Sequence, residues 1–205
     1  MRIGRVLLIS LVIGLLEAGC WPNTNNRNIG DGGFLSAEPC GPPCFFEIVP
    51  GVTTKNQAIS MLQTWELYMN CQEYDNRKQG GVRGVACQNI SIGLQNDLDI
   101  VESVGFQPMQ TITIEKVIAK HGEPSGVLVI AEGYPQNNEY VASMLLYYDT
   151  IRVTLVLAEQ NSGEYSLTPT TTIINIGYSD QKSYDLSRKY SQAWKGYTTY
   201  EQWNP

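Results

Sequence analysis

Two segments of the chain carry apolar residues at the spacing of an amphipathic helix. The first follows Thr54, and its apolar side comprises Ala58, Met61, Leu62, Trp65 and Met69. Gln57 stands three residues after Thr54, which is the spacing of a capping box. The second follows Thr113 and ends at Gly122 and Pro124, and its apolar side comprises Ile114, Val117, Ile118 and His121. The pattern predicts two short helices, each capped by a threonine side chain.

The two predicted helices align with each other at an offset of 59 residues, which pairs Ala58 with Val117 and Ile59 with Ile118. Each begins with a threonine and each precedes segments of strand character. Any two amphipathic helices share part of this pattern. The alignment therefore indicates a weak internal repeat of helix-then-sheet units.

Between and after the helices, apolar residues alternate with polar ones or form short runs bounded by turn residues. From Gly84 to Gly105 two such runs enclose a polar turn at 95–99, which predicts a β-hairpin. Four further strands are expected at Val127–Ala131, Tyr140–Tyr148, Ile151–Ala158 and Thr170–Tyr178. Only Asp149 and Thr150 separate the middle two, so these should pair antiparallel. Together the elements predict an α+β fold, with short helices packed on an antiparallel sheet.

The N-terminus has the parts of a secretory signal. Arg2 and Arg5 make a short basic start, and an apolar run of about ten residues from Val6 to Leu16 follows. This run is too short to span about 30 Å of hydrocarbon as a helix. Residues 1–19 are therefore predicted to be a cleaved signal peptide.

The end of this signal resembles a lipobox, the motif at which bacterial lipoproteins are cut and lipidated. Ala18, Gly19 and Cys20 match the motif, whereas Glu17 stands where leucine is usual. The resemblance implies a diacylglycerol on Cys20, whose two acyl chains would anchor the protein stably to a membrane. The alternative is an ordinary signal cut near Ala18 that leaves a free Cys20. The expected location is the cell envelope, outside the cytoplasm and attached to the membrane.

Composition argues against nucleic acid as a partner. Without residues 1–19 the chain loses Arg2, Arg5 and Glu17, which leaves 12 basic and 19 acidic residues and a net charge of −7. A chain with this balance has no general attraction for nucleic acid or for anionic lipid. Its length allows one domain, or two small ones that share a core.

Four cysteines remain once Cys20 is set aside, and an even number in an exported chain indicates disulfides. Three pairings are possible among Cys40, Cys44, Cys71 and Cys87. Pairing each cysteine with its neighbour in sequence is favoured, because each bond then closes a local loop. The alternative is a redox dithiol or metal site at Cys40 and Cys44, although redox motifs usually have two residues between the cysteines and no histidine lies nearby.

The composition also divides the chain into segments. Residues 20–33 are rich in Asn and Gly and are predicted to be a flexible tether. The first helix and hairpin form a unit at 34–108, and the second helix and its sheet form a unit at 109–180. The tail at 181–205 carries Trp194, Tyr197, Tyr200 and Trp203. We expect this tail to dock on the domain, since Tyr and Trp bury a ring while leaving one polar atom in water. A stacking platform for sugars or bases is the alternative.

Two stretches resemble the helix-start motif of the small BamE/OmlA-type envelope lipoproteins. They are PGVTTKNQAISML at 50–62 and ITIEKVIAKHGEP at 112–124. The matching positions are Gly51, Val52, Thr53 and Thr54 in the first, and Thr113, Gly122 and Pro124 in the second. The first stretch lacks the Gly-x-Pro ending of the motif. The resemblance implies an α+β fold with tandem units, as in β-lactamase-inhibitor-protein-like folds. The overall plan also resembles uncharacterised lipoproteins of Chloroflexi-type bacteria, and neither resemblance supplies a catalytic residue.

The sequence carries no catalytic signature. It contains no HExxH, GxSxG, P-loop or dinucleotide-binding glycine pattern, and its one histidine cannot make a His-rich metal site. Asp97 and Asp99 suggest a calcium loop, but Val101 occupies the next ligand position, so both are interpreted as turn residues. His121 could pair with Ser125, but its place in the last turn of a helix favours an interaction with the helix dipole. No catalytic residue, metal or cofactor is assigned.

The expected function is that of a non-enzymatic protein-interaction or scaffolding module, held at the membrane through Cys20 and bound to an envelope protein. The alternatives are a carbohydrate-binding or hydrolytic surface protein that uses the aromatic tail, and a proteinaceous enzyme inhibitor by analogy of fold alone. Exposure of Trp194, Tyr197 and Trp203 on a groove would favour glycan binding. Their burial would favour the scaffold.

Overall fold

The structure is a computed structural model, and it describes residues 30–67, 70–79, 81–134, 139–158, 160–161 and 166–203. The predicted signal peptide, Cys20, residues 20–29 of the predicted tether and Met69 lie outside these ranges. The described chain has the predicted α+β fold, with helices packed on an antiparallel sheet.

One sheet organises the whole fold. The helices are α1 (Lys55–Thr64), α2 (Ile114–His121), α3 (Gln181–Arg188) and the short α4 (Tyr200–Trp203). The strands are β1 (Gln72–Asp75), β2 (Arg83–Ala86), β3 (Ile90–Leu94), β4 (Val101–Phe106), β5 (Gly126–Tyr134), β6 (Glu139–Tyr148), β7 (Val153–Leu157), β8 (Gln160–Asn161) and β9 (Ile173–Ser179). The strand order is β1-β2-β3-β4-β9-β7-β6-β5, and β8 pairs with the first half of β6.

The two faces of the sheet differ in character because successive strand residues point to opposite sides. One face, which we call the helix face, joins α1 and α2 in a single hydrophobic core. The buried residues that the two helices contribute are Ala58, Leu62, Ile114 and Val117. The other face, which we call the open face, is covered at one end by α3, where the ring centroids of Tyr184 and Tyr147 lie 6.0 Å apart.

The capping box predicted at the start of α1 is confirmed. The Thr54 hydroxyl accepts a bond from the backbone N–H of Gln57, and the Gln57 side chain accepts one from the backbone N–H of Thr54. On the predicted apolar side, Leu62 is buried and Met61 is half-buried. Trp65 lies just past the helix as its C-cap.

The Thr113 cap predicted for α2 is wrong. Thr113 precedes the helix, but its hydroxyl makes no capping bond and instead contacts the Glu115 carboxylate at 3.4 Å. The first amides of α2 already have acceptors, because the N–H groups of Ile114 and Glu115 donate to the carbonyls of Thr171 and Pro169. The segment that leads into β9 therefore supplies the hydrogen-bond acceptors for the first amides of this helix.

The sheet consists of two halves related by an approximate two-fold axis between β4 and β9. One half contains α1 and strands β1–β4, and the other contains α2 and strands β5, β6, β7 and β9. The last strand of each half lies at the centre of the sheet, where β4 and β9 pair antiparallel. The threonine before each helix bridges to the residue before that central strand. Thr54 pairs with Ile100, and Thr113 pairs with Thr172.

The two central strands also share sequence and register. VESVGF at 101–106 and IINIGY at 173–178 have apolar, glycine and aromatic residues at the same positions. The β3–β4 pairing slips between Gly93 and Leu94, and the β7–β9 pairing slips at the matching point between Val156 and Leu157. Both halves therefore place equivalent backbone beside the central axis.

The predicted tether extends too far along the chain, because residues 30–33 belong to the folded part. Asp31 is only 7% exposed, and its carboxylate accepts bonds from the backbone N–H groups of Gly33, Leu35 and Ser36. Gly32 has a φ of 59° and lies so close to the Phe106 ring that a Cβ would clash with it. Composition alone indicated a flexible segment, whereas these glycines serve a tight, buried turn.

The segment 30–49 covers the helix face between the two halves. On one side the Phe46 ring contacts the Trp65 ring at 5.1 Å, next to α1. On the other side the Phe34 ring stacks on His121 of α2 at 4.8 Å. The N-terminal segment therefore contacts both helices.

The predicted strands are correct in position and inexact at their ends. Each of the four predicted segments overlaps one strand, namely β5, β6, β7 or β9. However, Ile151 belongs to a 3-10 turn before β7, and β9 begins at Ile173. The predicted antiparallel pairing of β6 with β7 is confirmed. The predicted hairpin at 84–105 includes β3 and β4 and also most of β2, which pairs with β3. Strand β1 and helix α3 were not predicted.

Candidate interaction surface

The outer side of β5, at the edge of the sheet, is only partly covered. Near the start of the strand, Val127 exchanges two hydrogen bonds of 2.8 Å with Gln192 of the C-terminal segment. Because outward groups alternate along an edge strand, the N–H and C=O groups of Val129, Ala131 and Gly133 also point outward. Within the described ranges, no backbone group of another segment bonds these outward groups. Residues 129–133 therefore present an open edge to a further strand.

The opposite edge, β1, is closed against such pairing. It has four residues, of which Glu73 pairs with Lys55 at 3.0 Å and Asp75 with Arg77 at 2.6 Å. The side-chain hydrogen bond from Arg77, helped by its backbone N–H, lowers the pKa of the Asp75 carboxyl to about 2. Short, charged edges resist strand addition. β5 differs in kind, since it has nine residues and Glu132 is its single charged position.

An apolar row on the open face adjoins the open edge. Leu128, Leu145 and Val156 are half-buried cross-strand neighbours on β5, β6 and β7. Ile130 lies two residues further along β5 on the same face and is 41% exposed. A strand added to β5 would place its own side chains beside this row. We call the open edge at 129–133 and these four side chains the β5 surface.

The C-terminal segment fixes the start of β5 and then crosses its edge at Gln192. Arg188 of α3 donates to the carbonyl of Ser125 at 2.8 Å and to the Asp149 carboxylate at 2.9 Å. The Tyr184 hydroxyl donates to the same carboxylate at 2.9 Å. Burial alone raises the pKa of Asp149, but the bonds from Arg188 and Tyr184 outweigh it and lower that pKa overall. The network ties α3 to the β6–β7 turn and to the residue before β5.

A polar cleft of about 330 Å³ lies where α3 begins, beside the β3–β4 turn. Asp180 lines it, and its carboxylate accepts bonds from the Ser183 backbone N–H at 2.8 Å and from the Gln95 amide at 3.0 Å. Glu102 accepts a bond from the Ser183 hydroxyl. These carboxylates therefore cap α3 and join it to the sheet. The described residues contain no group of three or more His, Cys, Asp or Glu side chains that could hold a metal ion.

The two favoured cysteine pairs are the ones that the structure joins. Cys40 bonds Cys44 within the segment that covers the helix face, and Cys71 bonds Cys87 across the ends of β1 and β2. The second bond ties the closed edge strand to its neighbour. The Cys71–Cys87 bond lies at the opposite end of the strand order from β5.

His121 is held by packing and by one backbone contact. Its Nε2 lies 2.7 Å from the carbonyl oxygen of Phe34, and its ring stacks on the Phe34 ring. The Tyr148 ring meets it edge-on at 6.3 Å. Ser125, the candidate partner by sequence, accepts a bond from the Asp149 backbone N–H instead. The imidazole thus joins α2 to the N-terminal segment.

Asp97 and Asp99 lie in the exposed turn between β3 and β4, as their interpretation as turn residues requires. Asp99 forms an ion pair with Arg83 of β2. Arg83 also donates to the Leu98 carbonyl at 3.2 Å. These contacts pin the turn to the neighbouring strand.

The tail aromatics do not share one exposed groove. Trp203 is 1% exposed and belongs to the core, and Trp194 is half-buried with its ring centroid 5.6 Å from that of Trp203. Lys195 lies over the Trp203 ring at 5.4 Å. Tyr197 is 42% exposed, more than either Trp194 or Trp203. The tail packs onto the helix-face core after it crosses β5.

The β5 surface was not identified from the sequence. Its signal is the run GVLVIAEGY at 126–134, which has one charge in nine residues, against QEYD at 72–75. The pattern predicts a strand at 127–131 and none at 72–75, and only the strand order shows that both segments are edges.

In the described ranges, no helix combines the length and the apolar character needed to cross a bilayer. Comparison with protein-family models, with curated protein sequences and with solved structures finds no match to this chain.

Proposed function

We propose that this chain is an envelope lipoprotein anchored through Cys20, and that its folded part is a non-enzymatic module that binds an envelope protein at the β5 surface. The observation that carries the proposal is the contrast between the open, nearly uncharged edge of β5 and the short, charged edge of β1. In strand addition, backbone hydrogen bonds supply affinity and the adjoining side chains supply specificity. Specificity would come from the apolar row of Leu128, Ile130, Leu145 and Val156.

The position of the predicted anchor supports this proposal. Nine residues, 21–29, separate Cys20 from Gly30, where the described chain begins. Fully extended, such a segment spans about 30 Å. Gly30 starts the segment that covers the helix face, so the helix face would turn toward the membrane. The edge of β5 would then point sideways, where a partner in the same envelope layer can reach it.

The carbohydrate-binding alternative has weaker support. Trp203 is buried in the core, and the carboxylates of the polar cleft already accept internal hydrogen bonds. A stacking platform needs an exposed ring beside free polar groups. The β5 surface offers open backbone and apolar side chains instead, which suits a protein partner.

Lipidation is tested by metabolic labelling of the full chain with a clickable fatty acid in a bacterial host. We expect label on the wild-type chain and none on Cys20→Ser, which should leave the membrane fraction or persist as precursor. Equal labelling of both chains would refute the anchor.

The interaction surface is tested by photo-crosslinking in intact cells. A photoreactive residue at position 130 should give a discrete crosslinked product. The matched control is position 174 on β9, because Ile174 is 42% exposed against 41% for Ile130 but lies on a strand paired on both sides. Equal yields at the two positions, or none at 130, would contradict the proposal.

A further inference from the structure

We infer that the occupant of the β5 surface is a second copy of this chain, paired antiparallel along residues 129–133 about a two-fold axis perpendicular to the sheet. This inference rests on the proposed function, because it names the partner of that surface. Three features of the molecule favour a copy of itself, namely the register that the open edge allows, the residues that this register brings together, and the side from which the tether leaves.

The register follows from which backbone groups are open. Val127 already bonds Gln192, so the available outward groups belong to Val129, Ala131 and Gly133. Centring the two-fold axis on Ala131 pairs 129 with 133, 131 with 131, and 133 with 129 of the copy. Each pair exchanges two hydrogen bonds, so this register makes about six and leaves none of the outward groups over. A shift by two residues would lose one pair.

This register also keeps like charges apart. Position 132, the single charged position of β5, lies opposite Ile130 of the copy and not opposite itself. Like charges directly opposite each other on neighbouring strands are destabilising. The two copies of Ile130 become diagonal neighbours on the open face, within reach of each other. Side chains that are 41% exposed in one chain would thereby gain apolar contacts.

The anchor geometry selects the same arrangement. A two-fold axis perpendicular to the sheet keeps the helix faces of both copies on one side. The segment beginning at Gly30 lies on the helix face, so both tethers leave from that side and can reach one membrane. Confinement to one membrane also raises the effective concentration of the copies, which a short interface needs.

The molecule already uses this arrangement internally. Its two halves join through β4 and β9, which pair antiparallel from Ser103 with Ser179 to Phe106 with Ile176. That junction also keeps both helices, α1 and α2, on one face of one sheet. A second copy at β5 would extend the sheet by the same operation.

Two differently tagged full-length copies, expressed together and extracted in mild nonionic detergent, test the inference. Capture of one tag should recover the other from wild type. Ile130→Glu places a carboxylate opposite Glu132 of the copy twice, so recovery should fall about tenfold or more. Ile130→Lys creates two opposite-charge pairs in the same register and should retain recovery. Ile174→Glu, with matched exposure, should leave recovery unchanged, and thermal melting checks that every variant folds.

The outcomes separate this inference from the proposed function. Failure to recover the second tag from wild type overturns the inference, as does an Ile130→Lys result equal to that of Ile130→Glu. The other possible result is that mass spectrometry finds a different envelope protein captured with the tagged chain in near-equal amount. If that protein is lost in Ile130→Glu and kept in Ile174→Glu, the proposed function stands and the inference of a second copy is overturned. Recovery of neither kind of partner overturns both.

Discussion

Asp31→Ala tests where the folded part of the chain begins. The Asp31 carboxylate accepts bonds from the backbone N–H groups of Gly33 at 3.0 Å, Leu35 at 2.9 Å and Ser36 at 2.7 Å. It also accepts the Ser36 hydroxyl at 2.9 Å. Alanine removes every one of these acceptors at a site that is 7% exposed.

The size of the effect follows from the amides left without an acceptor. A buried donor without a partner costs about 1–3 kcal/mol, with the lower end for groups that water can reach. The Gly33 bond is buried, and those to Leu35 and Ser36 are partly buried. We therefore expect Asp31→Ala to lower the free energy of unfolding by about 3–5 kcal/mol.

Urea unfolding followed by tryptophan fluorescence measures this change, since the buried Trp203 and half-buried Trp65 should report loss of the core. Asp97→Ala, at an exposed turn position, is the control and should change the free energy of unfolding by less than about 0.5 kcal/mol. An effect of Asp31→Ala as small as that of the control would show that the turn contributes nothing. The tether would then extend to Phe34, as composition alone suggested.

Three further predictions concern local structure. Thr54→Ala should lower the free energy of unfolding by about 1 kcal/mol, whereas Thr113→Ala, which breaks no capping bond, should change it by less than half as much in the same urea experiment. Replacing Cys71 and Cys87 together with serine should lower the free energy of unfolding by about 3 kcal/mol, because the disulfide closes a loop with a sequence separation of 16. An unchanged urea midpoint would contradict this. The Asp75 carboxyl should titrate by NMR at about 2, and Arg77→Ala should raise that pKa toward 3.8. Because the folded-state pKa is lowered, any stability from this pair is present above pH 3.8 and lost as the pH falls through about 2.

Interactions between neighbours in sequence could be predicted from the sequence. The Thr54–Gln57 capping box and the antiparallel pairing of β6 with β7 each depend on a few adjacent residues. The same holds for the Cys40–Cys44 bond, which spans a sequence separation of 4. Local chemistry of this kind does not depend on where the rest of the chain lies.

Features that depend on distant segments could not be predicted. Thr113 has the same local pattern as Thr54, but carbonyls near β9 take the amides that it was expected to cap. The Gly-rich residues at 30–33 look flexible in isolation, yet Gly32 is required by the Phe106 ring, which lies far away in sequence. Strand β9 likewise pairs with β4 and β7 and not with β5, which leaves β5 at the edge, and no periodicity reports that order.

The candidate site illustrates the same limit. The nine residues of β5 were recognised in part as a strand, but a strand at the centre of a sheet and one at its edge share the same alternation. Only the two bonds between Val127 and Gln192 show which backbone groups point outward and where cover by the C-terminal segment stops. The proposed partner-binding role therefore rests on topology and hydrogen bonding together.

Amide hydrogen exchange along β5, in membranes from cells that express the full chain, tests the proposed interface most directly. If a partner strand binds this edge, the outward amides of Val129, Ala131 and Gly133 should be protected in wild type and should exchange freely in Ile130→Glu, which should lose that partner. Val127 is the internal control, because its bond to Gln192 should protect it in both proteins. Equally fast exchange at 129–133 in both proteins would show that nothing binds this edge and would contradict the proposed interface.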